Sequence, residues 1–225
     1  MDFKTIISSL DNFKKFIPII LILLTFFILI SIVIYARNKR TKKIKEIAES
    51  KGYKFTLKSN EIDKRFHLDF LEISFNTRFK NIVEFKQKNH KVLICDYIYS
   101  VGRSSRTQTI AIITNFKAPD FNLTIENSRN RLWDKFSNED IDFEDDELFS
   151  YNFRLISEYE KRTRNFFDSS LRQFLLNHKQ DYKMKNNNLM IYKYYKVIPF
   201  KEFEEYLITL NEIIARFEKD QVELY

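Results

Sequence analysis

Residues 81–116 read NIVEFKQKNHKVLICDYIYSVGRSSRTQTIAIITNF. Three runs in it, NIVEFKQ (81–87), KVLICDYIYSV (91–101) and TQTIAIITNF (107–116), are rich in β-branched and aromatic residues, the types that fit a pleated surface. Lys88-Asn89-His90 and GRSSR (102–106) separate them with short polar links suited to tight turns. Adjacent strands joined so closely predict an antiparallel meander. Along the middle run, Val92, Ile94, Asp96 and Ile98 share one face, and Leu93, Cys95, Tyr97 and Tyr99 the other. Both faces are largely apolar, which predicts a central strand covered on both sides. Asp96 is the polar exception.

Working outward, YKFTLK (53–58) reads as a short extended piece. Residues 59–80 read as a loop, since HLDFLEISF fits alternating and helical spacing equally. FNLTIE (121–126), after Pro119-Asp120, reads as a fourth strand. A helical turn is expected around Trp133 at 129–136, and LFSYNFRLIS (148–157) alternates as a fifth strand. From Tyr159 to Lys179 one amphipathic helix is expected. Its apolar stripe is Tyr159, Phe166, Phe167, Leu171, Phe174, Leu175 and His178. DYKMK and LMIYKYY form a hairpin about Asn186-Asn187-Asn188, because asparagine tolerates the left-handed backbone of the turn. Pro199 opens a last helix carrying Phe203, Leu207, Leu210, Ile214 and Phe217. The fold class is therefore α+β: a mainly antiparallel sheet, meander plus C-terminal hairpin, packed by two amphipathic helices. No Pro-, Gly- or Ser-rich linker interrupts it, so residues 51–225 form one soluble domain.

Residues 16–35 read FIPIILILLTFFILISIVIY and carry no charge. At about 1.5 Å per residue such a helix matches the roughly 30 Å apolar core of a bilayer. A transmembrane helix is expected over 16–36, with Pro18 in its first turn and Thr25 and Ser31 bonding back to the preceding turn. Residues 37–50 continue as a basic juxtamembrane helix with Ile44, Ile47 and Ala48 on one side, stopping at Gly52. Arg37, Lys39, Arg40, Lys42, Lys43 and Lys45 follow the span, against Lys4, Lys14 and Lys15 before it. The positive-inside rule then places residues 1–15 outside and the domain in the cytoplasm, its basic flank against anionic lipid headgroups. A cleaved leader carries its charge before the apolar run and ends on small residues; here charge follows, and Ile34-Tyr35-Ala36 lacks the small residue needed two before a cut.

The first 45 residues hold the whole formal excess of +7. The remainder is balanced, so no nucleic-acid partner is expected. Two glycines exclude Gly-rich phosphate loops, and a single cysteine excludes a disulfide framework and a Cys-based zinc site. Cys95, in an apolar run, is expected to be a buried, inert thiol. The Asn122-Leu-Thr sequon matters only if the domain faces a glycosylating lumen.

Glu139, Asp140, Asp142 and Glu144–Glu147 form an acidic run that lacks the glycine and final glutamate of a Ca²⁺ loop. In an extended chain Ile141 and Phe143 point one way and Asp140, Asp142 and Glu144 the other, a solvated edge that discourages strand addition. A hard-cation site and a contact with the basic flank stand as alternatives. His67, His90 and His178 are scattered without metal-ligand spacing; His90 is expected in a turn and His178 at a helix C-terminus. Ser104-Ser105 between Arg103 and Arg106 reads as an exposed hairpin loop. MIYKYYK (190–196) reads as an aromatic strand with lysines at its rim rather than a base-stacking surface. No catalytic residue, metal or cofactor is expected.

The pieces IAESKGYKF, NIVEFKQ, VLICDYIYSVG, PDFNLTIEN, DIDFEDDELFSYNFRLIS and FFDSSLRQFLL, with the closing hairpin and helix, resemble a group of uncharacterised bacterial single-pass membrane-anchored proteins. The resemblance implies a shared fold and a bacterial setting. That group has no assigned activity, so no functional residue carries over. The reading is a membrane-held binding or scaffold domain with an unidentified protein partner; the alternative is a tethered enzyme whose site forms only in the tertiary fold.

Overall fold

The computed structural model describes residues 3–60, 62, 66, 71, 78–126, 140–194 and 196–222. The turn expected at 129–136, His67, Glu139 and most of 59–77 lie outside them. The chain divides into two units, residues 1–43 and 44–225.

Helix α1, Phe3–Ser50, runs through the apolar stretch and the basic flank without a break. Pro18 therefore sits inside the helix, not in its first turn. A proline there removes one backbone donor from the helical ladder. The helix stops at Gly52, whose φ of +71° suits a residue without Cβ. There the Gly52 N–H bonds to the Glu49 carbonyl at 3.0 Å and the Tyr53 N–H to the Ala48 carbonyl at 2.8 Å.

In the second unit the described residues form eight strands: β1 Lys54–Ser59, β2 Arg78–Gln87, β3 His90–Val101, β4 Ser104–Thr114, β5 Phe121–Ile125, β6 Phe153–Ile156, β7 Asp181–Lys185 and β8 Asn188–Tyr192. They make one antiparallel sheet in the order β1-β2-β3-β4-β8-β7-β5-β6. The meander is β1 to β4, and the late hairpin β7-β8 is inserted between β4 and β5. Asn186 and Asn187 turn that hairpin with φ of 50° and 61°. Asn122 of the sequon lies on β5, paired with Ile156 on one side and Lys183 on the other.

β3 is covered on both faces. Val92 and Ile94 join the larger core, while Leu93, Cys95, Tyr97 and Tyr99 join the smaller one with Ile110, Ile112 and Phe66. The larger core lies under four short or medium helices: α2 Glu147–Asn152, α3 Glu160–Phe166, α4 Ser169–Asn177 and α5 Phe203–Val222, the last preceded by a 3₁₀ turn at Phe200–Glu202. Its centre is aromatic. Phe167 meets Phe121 edge-on at 4.9 Å and Phe166 at 5.5 Å, and Phe217 packs on Phe166 at 5.8 Å. Truncating any of these to alanine costs about 3–5 kcal/mol. Ile44 and Ala48, 1% and 0% exposed, belong to the same core.

Two sequence expectations fail for local reasons. The fifth strand at 148–157 is instead α2 followed by the short β6. Asp146 caps α2 by accepting the Phe149 N–H at 3.0 Å, which favours a helical turn over extension. The helix expected over 159–179 is two helices. Asp168 caps α4 through the Leu171 N–H at 2.6 Å, and the break at Phe167-Asp168 leaves Phe166 and Phe167 both buried. Tyr159, placed on the apolar stripe, is 50% exposed.

Candidate membrane-attachment site

The apolar segment of α1 presents its side chains outward all round. Exposure runs from 38% at Ile30 to 68% at Tyr35. A helix apolar on every face and unburied is stable in lipid and a liability in water. Its one described side-chain bond is internal: the Thr25 hydroxyl donates to the Ile22 carbonyl at 2.7 Å. This is the described helix long and apolar enough to cross a membrane, and none of that apolar window is buried.

Arg37, Lys39, Arg40, Lys42, Lys43 and Lys45 continue along the same helix. Arg37, Lys39, Lys42, Lys43 and Lys45 are exposed, and Arg40 is half-buried. Lys45 reaches Glu49 one turn on, at 3.7 Å, a solvent-facing pair worth only a few tenths of a kcal/mol.

Part of the acidic run is bound by the domain, and Asp142, Glu144 and Glu147 are exposed. Asp140 accepts the Leu155 N–H at 2.8 Å, and the Ile141 N–H donates to the Leu155 carbonyl at 2.8 Å. The run thus lines the outer edge of β6, with Ile141 and Phe143 buried. Burial pushes the Asp140 carboxyl above its ordinary range, against the lowering bond from Leu155. Asp145 and Asp146 converge on Arg172 at 2.6 and 2.9 Å. The guanidinium also donates to the Phe167 carbonyl at 2.9 Å and lies over the Phe143 ring at 4.3 Å. Arg172 is 4% exposed, although it lies outside the apolar stripe expected of this helix. Among the described residues no group of three His, Cys, Asp or Glu side chains converges as a metal site.

Other buried polar groups are also committed to the fold. Asp96 accepts from Asn81 Nδ2 at 2.7 Å and from the Thr109 hydroxyl at 2.9 Å. Asn81 reaches it from an irregularity in β2, at a φ of 49°. His90 is not in an exposed turn; it opens β3, 3% exposed and stacked on Phe116 at 4.4 Å. Its Nδ1 faces the Thr114 carbonyl at 2.6 Å and its Nε2 faces Glu218 at 3.0 Å. Glu218 also holds Lys88. Burial raises the Glu218 carboxyl, but the bonds from Lys88 and His90 outweigh it and leave the group below its ordinary range. His178 ends α4, 3.8 Å from Glu212. Cys95 is buried, and burial followed by the nearby Asp96 charge pushes its thiol well above the usual range, as expected of an inert cysteine. The Asp96 cluster had a signal in the sequence, the lone acid on an apolar face. The Arg172 and His90 clusters had none, because their partners are far away in the chain.

No protein-family model matches the sequence, and no curated protein is significantly similar to it. Among solved structures, the chain is similar to the crystal structure of the mycobacterial trehalose monomycolate transport factor A, TtfA, with a TM-score of 0.52. The two are 13% identical over 77% of this chain and 91% of that one. At that identity the likeness is one of fold.

Proposed function

We propose that the protein is a single-pass bacterial membrane protein whose α+β domain is a non-catalytic binding or scaffold module at the cytoplasmic face. The carrying observation is α1. Its apolar segment is wholly exposed, and the same unbroken helix supplies Ile44 and Ala48 to the domain core. In this reading residues 1–15 lie outside, 16–36 span the bilayer, and 37–50 form the juxtamembrane helix. Arg37, Lys39, Arg40, Lys42, Lys43 and Lys45 rest among anionic headgroups, each contributing about 1 kcal/mol near the surface. The excess of basic residues after the span supports the cytoplasmic side for residues 51–225. The commitment of Asp96, His90, Asp146 and Arg172 to structural partners supports binding over catalysis. The fold likeness to a mycobacterial transport factor supports the same reading, by analogy alone.

Single-cysteine variants in a Cys95→Ser background test the topology. A cysteine at 5 labelled by an impermeant maleimide on intact cells, with one at 220 labelled only after lysis, supports the reading. The reverse pattern, or release of the domain without detergent, refutes it. Changing all six flank residues to Gln should give mixed orientations.

A further inference from the structure

The helical side of the domain holds an open cleft of about 720 Å³, between the end of α4, the 193–199 loop and α5. That volume lies within the range of ligand sites, roughly 300–1,000 Å³. Residues 193, 194 and 196–199 belong to no strand, yet their backbone is held in place. The Tyr194 N–H donates to Asp181 at 3.2 Å, the Thr109 N–H to the Lys196 carbonyl at 2.9 Å, and the Ile198 N–H to the Thr109 hydroxyl at 3.0 Å. Thr109 is itself tied to the buried Asp96. A backbone pinned at these points fixes where its side chains project from.

Those side chains are arranged by sign. Lys193 and Lys196 stand on the loop wall, and Glu202 and Glu205 on the wall made by the 3₁₀ turn and α5. All four are exposed, and none forms an ion pair with another described residue, although opposite charges line one cleft. Val197 and Ile208 add apolar surface, 36% and 60% exposed. Tyr206 also lines the cleft. It is 8% exposed, and its hydroxyl is buried with no hydrogen-bond partner among the described residues. Burial raises its ionisation far above the usual range, so it stays an O–H able to donate or accept.

We propose that this cleft binds an extended peptide segment of a partner protein that carries an acidic and a basic side chain about an apolar one. The acid meets Lys193 and Lys196, the base meets Glu202 and Glu205, and the apolar residue rests on Val197 and Ile208. The polar lining and open mouth suit a peptide backbone better than an apolar small molecule. The inference deepens the binding-module reading by naming the surface and the chemistry of the partner.

Fluorescence anisotropy on the full chain in lipid nanodiscs tests it with three labelled octapeptides: one with Glu and Lys on either side of a central Leu, one with Glu only and one with Lys only about that Leu. The mixed peptide should bind saturably and about tenfold tighter than either of the others, as expected for two added charge contacts. K193E/K196E should weaken the mixed peptide by about tenfold, and I208D, at an exposed site, should weaken all three. A benzophenone on the mixed peptide should cross-link within 193–209. Equal binding of the three peptides, indifference to K193E/K196E, or cross-links elsewhere would overturn the proposal. None of these variants touches the span or its flank, so maleimide labelling of the topology reports on the membrane reading independently.

Discussion

The basic stretch at 37–45 and the acidic stretch at 140–147 have similar charge density and opposite fates. In the acidic one three side chains are bound by the domain: Asp140 holds β6, Asp146 caps α2, and Asp145 and Asp146 grip a buried arginine, while Asp142, Glu144 and Glu147 face solvent. The basic one runs along a helix with most of its side chains in the open. A run of charge is therefore tied into the fold where the fold supplies a desolvated counter-group, and is left in solvent where it does not. Local composition does not distinguish the two; the position of Arg172 does.

The contrast can be broken most severely at Arg172. R172M keeps the aliphatic stem but removes the charge and the guanidinium that lies over Phe143, leaving Asp146, 8% exposed at its side chain, without its partner. It should cost about 3–5 kcal/mol in denaturant unfolding of the detergent-solubilised protein. A loss below about 1 kcal/mol would mean that the Arg172 pair is no stronger than a solvent-exposed one. The two acids on that arginine separate burial from charge. D146N should cost about 1–3 kcal/mol, because it weakens both the cap and a desolvated bond. D145N, whose side chain is 70% exposed, should stay within about 0.5 kcal/mol. Equal effects would contradict the assignment.

Asp140 reverses the usual sign. Its raised carboxyl contributes stability that is fully present below the unfolded aspartate range and is lost as pH rises through the folded value. D140N keeps an acceptor for the Leu155 N–H and removes the charge. It should raise Tm at neutral pH, with the gain disappearing at low pH; a gain at all pH values would rule out titration as the cause. Glu218 runs the other way: its contribution is present above the unfolded glutamate range and is lost as pH falls through its lowered value, so E218Q should flatten that acid loss. The smallest effect belongs to the basic stretch. K39Q/K42Q should leave unfolding within about 0.5 kcal/mol, since nothing buried depends on those side chains. A larger loss would place the flank among the structural charges.

The legible part of the fold is the part written in nearest neighbours. Alternation over 81–116 yields β2 to β4, the two-sided cover of β3 and the odd Asp96. The paired asparagines yield the β7-β8 hairpin, and the apolar run yields α1. What escaped depends on short capping side chains or on distance in the chain. Asp146 and Asp168 each redirect the backbone with one bond, against a periodicity that pointed elsewhere. His90 looks like a turn residue until Glu218 and Thr114 are brought to it. The place of β8 beside β4 has no local signature, because Ile112 and Met190 meet only in the finished sheet. The exposed apolar segment and its basic flank are readable from composition; the cleft between the end of α4 and α5, assembled from separated segments, is not.

The insertion of β7-β8 between β4 and β5 bears on how the protein is made. On the ribosome, the greasy segment and the first strands emerge while the centre of the sheet is still untranslated. Until residue 192 is out of the exit tunnel, the β4 flank offers unpaired amides and carbonyls to any neighbouring nascent chain. Stalled or truncated copies would therefore be sticky halves rather than smaller working domains, and quality-control proteases should clear them quickly.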